Sequence, residues 1–132
     1  MNKKNGLILI ACLLLVMGYN TPHRKCLRYI DRYSEQLGPV IENQLPVAIE
    51  MTGKYFNEWP GEHPMTEFIL YTWGNTYYGC YYSVDDVPLA FQNADLDLKQ
   101  TGRNQWTWQS EGDNHGMTER VKKNWYYFKA SF

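Results

Sequence analysis

The sequence predicts an α+β fold in which one or two N-terminal helices pack on a small antiparallel β-sheet, preceded by a signal-like apolar helix. Three features carry this prediction: an uncharged apolar run at 6–18, a helical stripe of apolar residues within 22–37, and an aromatic-rich second half. The chain of 132 residues allows a single domain. Because disordered chains are poor in aromatic residues and this chain has 16%, we expect residues 19–132 to fold as one aromatic-rich domain.

The first 18 residues are typical of an export signal. Lys3 and Lys4 precede an uncharged stretch from Gly6 to Gly18, and a basic start followed by a short apolar stretch is the pattern of a secretory signal peptide. As a helix this stretch is roughly 20 Å long, short of the roughly 30 Å hydrocarbon core of a bilayer. We predict that residues 1–18 are a signal peptide, cleaved after Gly18, or an N-terminal membrane anchor. Lipidation at Cys12 is an alternative.

A single amphipathic helix is predicted directly after this segment. Thr21 is a favoured N-cap residue, and Pro22 suits the first helical position. Gly38-Pro39 predicts the end of the helix, because glycine favours the position after the last turn and proline cannot continue it. The face that we expect to pack on the sheet consists of Cys26, Ile30, Tyr33 and Leu37.

The pattern after this helix is ambiguous. The apolar residues of 39–59 fit a helical stripe as well as strand alternation. We favour a second helix over these residues. Because Pro60, Gly61 and Pro64 are strong turn residues, we predict that the helix gives way to a loop over 57–64.

The second half of the chain predicts a sheet. Gly74-Asn75 lies between two runs of strand-forming residues and predicts a β-hairpin over 65–84. A short strand is expected near 94–98. Two further strands are predicted over 105–109 and 124–131, joined through turn-rich residues at 111–116.

Two cysteines are predicted to face each other across the helix–sheet interface. Cys26 lies on the apolar helix face, and Cys80 shares its strand parity with Tyr78 and Tyr82. An even pair of cysteines in an exported chain suggests a disulfide, which we predict between Cys26 and Cys80. The alternative is a pair of free, buried thiols that act as small hydrophobic side chains.

Aromatic side chains are the candidate binding residues. Trp106 and Trp108 share one face of a predicted strand, and Trp125 and Tyr127 share one face of the last strand. An exposed row of such rings stacks on sugars or anchors a protein partner. The alternative is that these residues fill the core of a small domain.

One loop offers the candidate catalytic residues. His115 lies close to Asp113 and Glu111 and would form an acid–base pair with either carboxylate. The alternative is a tight turn, because Asp, Asn and Gly are turn residues. The candidate metal ligands are Asp85, Asp86 and Asp113, although no EF-hand spacing is present.

Charge and motif content exclude several other classes. The formal net charge is −1 with His neutral, and no long run of one sign is present, whereas a nucleic-acid-binding domain carries a basic patch or stripe. The sequence has no P-loop, no dinucleotide-binding glycine pattern, no zinc-type Cys/His spacing and no nucleophile elbow. We therefore predict no cofactor and no nucleic-acid partner.

The leading functional hypothesis is an exported or envelope-attached binding or accessory domain that uses an aromatic-rich sheet surface. Its partner would be a protein or a glycan of the cell envelope. Its location would be periplasmic, extracellular or membrane-attached, with the N-terminal segment contacting the membrane at least during export. The first alternative is a small hydrolase that uses His115 with Asp113 or Glu111, with or without a metal ion. The second is a structural envelope protein without a small-molecule ligand.

Overall fold

The computed structural model describes residues 2–43 and 55–132. Within them, two helices are followed by seven antiparallel strands, which confirms the predicted α+β class. Helix α1 spans Lys3–Tyr19 and helix α2 spans Pro22–Glu42. The strands are β1 (Tyr55–Trp59), β2 (Met65–Trp73), β3 (Thr76–Ser83), β4 (Lys99–Gly102), β5 (Gln105–Gln109), β6 (His115–Lys122) and β7 (Trp125–Ser131).

The strands form one sheet with the spatial order β1-β2-β3-β7-β6-β5-β4. The chain thus builds two meanders, β1-β2-β3 and β4-β5-β6, and closes the sheet by inserting the last strand between them. Strand β7 is therefore central and has a neighbour on both sides along its length. Among the described strands, β1 and β4 form the two edges.

Helix α2 begins as predicted but ends later. The side-chain oxygen of Thr21 accepts the backbone N–H of Arg24 at 3.3 Å, as an N-cap does. The predicted end at Gly38-Pro39 is wrong, because the helix continues to Glu42 with Pro39 inside it. Proline removes one helical hydrogen bond, but the packing of Val40 and Ile41 on the core favours the extra turn.

The strongest strand signals are confirmed. The hairpin predicted over 65–84 forms β2 and β3, and Gly74 in its turn has a φ of 58°, which glycine adopts without a Cβ clash. The strands predicted over 105–109 and 124–131 are β5 and β7.

Predictions for the less regular regions are wrong in part. The strand near 94–98 is absent, because these residues cross a face of the sheet and pairing starts only at Lys99. The loop over 57–64 starts only after Trp59, because 55–59 pairs with β2 instead of forming a helix or loop. Residues 44–54 of the favoured second helix lie outside the described residues. Strand β6 has no counterpart among the predicted strands.

The two faces of the sheet carry separate cores. The helix-side core lies under α2, and the strap-side core lies under residues 84–98, which we call the strap. Alternate residues of β7 point into the two cores. The helix-side core consists of Cys26, Tyr29, Ile30, Leu37, Phe68, Leu70, Cys80, Tyr82, Trp125 and Tyr127. The strap-side core consists of Met65, Tyr81, Leu89, Ala90, Phe91, Trp108, Tyr126, Phe128 and Ala130.

The predicted disulfide is not formed. Cys26 and Cys80 both lie fully buried in the helix-side core, as predicted, but each is a free thiol. Burial raises the pKa of Cys26 to about 12 and holds the pKa of Cys80 well above its usual value. Because the thiolate is the form that reacts, burial makes both thiols unreactive, and they pack as small hydrophobic side chains.

Helix α1 is apolar but uncovered. Every side chain that the structure describes in it is exposed, and its large apolar side chains are exposed by 60–74%. None of the described helices combines the length and apolar character that crossing a membrane requires. The use of α1 as an export signal or anchor stays a prediction.

Gly79 provides a test of the sheet packing. A Cβ at this position would lie 1.9 Å from the Phe68 backbone oxygen and 2.8 Å from Phe128 Cε1. Because a strand backbone cannot move away cheaply, we expect Gly79→Ala to lower the free energy of unfolding by about 3 kcal/mol. Urea denaturation measures the loss. Gly102→Ala is the matched control, since a Cβ there makes ordinary contacts at 3.5 Å or more. Equal stability of the two variants would contradict this packing.

Candidate functional site

The four predicted binding aromatics do not form one exposed row. Trp125 and Tyr127 lie buried in the helix-side core, and Trp108 lies buried in the strap-side core. Trp106 is half-buried and packs against the strap-side core. The structure therefore divides these residues between the two faces of the sheet, because α2 covers one face and the strap covers the other.

The loop before β6 has the geometry of a turn. Glu111 and Asp113 are exposed, and Gly112 between them has a φ of 61°. His115 Nδ1 lies 2.6 Å from the backbone oxygen of Asp113, so its contact is with the main chain instead of a carboxylate. In the described residues no carboxylate pairs with His115, and the acid–base pair required by the hydrolase hypothesis is not assembled.

The three candidate metal ligands do not converge on one site. Asp86 accepts hydrogen bonds from Arg120 Nη2 at 2.6 Å and from the backbone N–H of Asn124 at 2.9 Å, and Arg120 holds the pKa of this carboxyl below its usual value. Asp85 pairs with His63 at 2.9 Å. Asp113 precedes the N-terminal end of β6, whereas Arg120, the partner of Asp86, lies near the C-terminal end of that strand. No cluster of three or more metal-ligating side chains occurs in the part of the chain that the structure describes.

The buried carboxyl group of Glu67 is not among the site residues predicted from the sequence. Glu67 is fully buried in β2, where its two oxygens accept the indole N–H of Trp59 at 3.3 Å and the backbone N–H of Gln92 at 2.9 Å. Burial raises its pKa to about 7, and the two hydrogen bonds oppose that rise. The available signal was Glu67 as the single charged residue in a strand that otherwise consists of apolar, aromatic and threonine residues.

A groove of about 820 Å³ is the candidate functional site. It lies beside the edge strand β1 and the C-terminal end of α2, and Glu42 and Glu58 bring two exposed carboxylates to it. The hydroxyl group of Tyr82 donates a hydrogen bond to Glu42 and thereby fixes one of these two carboxylates. The apolar part of its lining consists of Ile41, Trp59, Pro60, Pro64, Met65 and Val84.

The groove connects to the buried carboxyl group. Trp59 lines the groove, and its indole N–H binds Glu67. Its backbone oxygen accepts a hydrogen bond from Asn93 of the strap at 3.4 Å. The aromatic element of the groove is thus held in place from the sheet and from the strap.

No protein-family model, no curated protein and no solved structure matches this chain.

Glu67 makes the stability of the fold depend on pH. The folded state keeps the Glu67 proton up to a pKa of about 7, whereas the ordinary pKa of an unburied glutamate is 4.5. The folded state thus binds more protons in this window, and the free energy of unfolding falls as the pH rises through it. The Glu67 carboxyl accounts for a fall of about 3 kcal/mol in the free energy of unfolding.

Glu67→Gln should remove this dependence, because the amide keeps an acceptor for one donor and carries no charge. Urea denaturation of both proteins near pH 5 and near pH 8 measures it, and the variant should gain stability relative to the natural protein at the higher pH. Glu111→Gln, at an exposed loop residue, is the matched control. The same stability difference at both pH values would contradict this role for Glu67.

Proposed function

We propose that this chain is an exported, envelope-attached accessory domain that binds an extended segment of a partner protein in the groove beside β1. The observation that carries the proposal is the groove itself. Its volume of about 820 Å³ is comparable to that of sites for drug-sized ligands. Its lining combines apolar and aromatic side chains with a few polar groups, which is the composition of a binding site.

The chemistry of the groove defines the partner segment. Trp59 and Val84 offer apolar contacts for anchoring side chains, since Trp59 is half-buried and Val84 is exposed. Glu42 and Glu58 favour a segment that also carries basic residues. Among the described strands β1 has a neighbour on one side only, and a sheet edge binds extended chains through its free backbone groups.

Burial of the other tryptophans favours a protein partner over a glycan. The glycan version of the hypothesis depends on stacking of sugar rings on Trp106, Trp108 and Trp125. Two of these rings are buried and the third is half-buried, so a sugar ring has no free face of Trp108 or Trp125 to stack on.

Attachment to the envelope is supported by helix α1. Its apolar side chains surround the helix and are exposed to 60–74%, and lipid is the environment in which such a surface is stable. The helix of 17 residues is roughly 25 Å long, and Lys3 and Lys4 can extend to the lipid headgroups at its start. Helix α2 then places the groove roughly 30 Å away from the end of α1.

Peptide binding tests the groove. The probe is a short peptide that alternates leucine and lysine, and binding is followed by the fluorescence of Trp59, with Trp59→Phe to identify that signal. We expect the peptide to bind and Glu58→Lys to weaken binding by about tenfold, because the substitution replaces attraction with repulsion. Glu111→Lys makes the same change of charge on a distant exposed loop and should leave binding unchanged.

Two further ligands define the outcomes that contradict the proposal. A peptide that alternates leucine and glutamate should not bind, and equal binding of both peptides would show that the carboxylates do not select the partner. A cell-wall glycan added to the same assay should leave the Trp59 signal unchanged. A response to the glycan without a response to the lysine peptide would overturn the choice of a protein partner.

A further inference from the structure

We propose that the tip of the β2–β3 hairpin, Trp73-Gly74-Asn75, docks into the headgroup region of the bilayer that holds helix α1. This inference rests on the proposed attachment of α1 to lipid. It adds a second contact with the membrane and fixes which end of the folded domain faces it.

Trp73 is exposed to an unusual degree. Its side chain is 80% exposed, whereas Trp108 and Trp125 are buried and Trp59 and Trp106 are half-buried. Its cross-strand partner is Thr76, which does not cover the ring. A tryptophan on the tip of a hairpin adds nothing to either core, so its apolar surface is available for a partner.

The hairpin tip lies at the same end of the domain as the connection to α1. Lys25 Nζ, near the start of α2, lies 4.9 Å from the centre of the Tyr71 ring. Tyr71 is two residues before Trp73 on β2, and the two side chains point to the same face of the strand. Only Asn20 and Thr21 separate α1 from α2. A bilayer that holds α1 is therefore close to Trp73.

The chemistry around the tip matches a lipid headgroup region. The amphipathic ring of tryptophan is enriched at membrane–water interfaces. Two basic side chains lie near the tip: Lys25 Nζ lies over the Tyr71 ring, and Lys129 Nζ lies 5.7 Å from the centre of the Tyr78 ring. Tyr71 and Tyr78 are paired across the hairpin. Anionic lipid headgroups attract such basic residues, and the aromatic ring then enters the boundary with the acyl chains.

The test uses the full chain reconstituted into vesicles of phosphatidylcholine and phosphatidylglycerol whose acyl chains carry bromine close to the headgroup. Flotation of the vesicles reports attachment, and quenching of tryptophan fluorescence by bromine reports contact with the acyl-chain boundary. We expect the natural chain to float and to be quenched. Trp73→Phe should float as well but lose most of the quenching, because the remaining tryptophans lie within the domain or at the groove. Trp59→Phe is the matched control and should keep the quenching.

The two readouts separate the inference from the proposal on which it depends. If the chain floats and Trp73→Phe is quenched as strongly as the natural chain, the docking of the hairpin tip is overturned while the attachment through α1 stands. If the natural chain does not float, attachment is overturned and the docking of the tip with it.

Discussion

The structure depends on one constraint: the central strand carries large apolar side chains on both of its faces. Trp125 and Tyr127 point to one side of β7, and Tyr126 and Phe128 point to the other. A sheet with one exposed face would leave two of these rings in water. The chain therefore needs two covers, and it uses α2 for the first face and the strap for the second.

The strap is held by polar contacts as much as by its apolar residues. The Tyr81 hydroxyl donates to the backbone oxygen of Leu89 and accepts its N–H, and the Asp86 carboxylate binds Arg120. These bonds satisfy groups in a segment that has almost no regular structure of its own. Gln92 has a φ of 55°, which is costly for a residue with a Cβ, and the hydrogen bond from its N–H to Glu67 helps to hold it there. The buried carboxyl group thus serves both the strap and, through Trp59, the groove.

The parts of the fold that could be predicted have strong local signals. Thr21-Pro22 marks the start of α2, and Gly74-Asn75 marks the hairpin, because caps and turns need particular residues. The end of α2 could not be predicted, since packing of Val40 and Ile41 overrides the proline. Strand β6 could not be predicted from an apolar pattern, because the polar residues Thr118 and Arg120 occupy positions that face the cores or their borders. Pairing with the neighbouring strands on both sides fixes its place in the sheet. Local signals therefore predict where an element starts better than where it ends, because tertiary packing can extend the element.

The candidate site was harder to predict for a related reason. Alternation along a strand assigns side chains to two faces, but it does not say which face is covered. The strap's apolar residues have no periodicity, so nothing in the sequence indicates that they cover Trp108. Likewise, the groove brings together α2, β1 and the residues around Pro64 and Val84, which are distant in the sequence. The distinction between Trp73 and the buried tryptophans appears only once the sheet order is known.

The coverage of both faces of β7 can be measured directly. Hydroxyl-radical footprinting of the full chain, read by mass spectrometry, compares the oxidation of Trp108 and Trp125 with that of Phe132, a residue that is 45% exposed. Free tryptophan reacts readily, so protection of these two rings requires burial. With both faces of β7 covered, Trp108 and Trp125 should stay unmodified while Phe132 is oxidised. Oxidation of Trp108 or Trp125 as fast as Phe132 would contradict this coverage and would restore an exposed aromatic surface on the sheet.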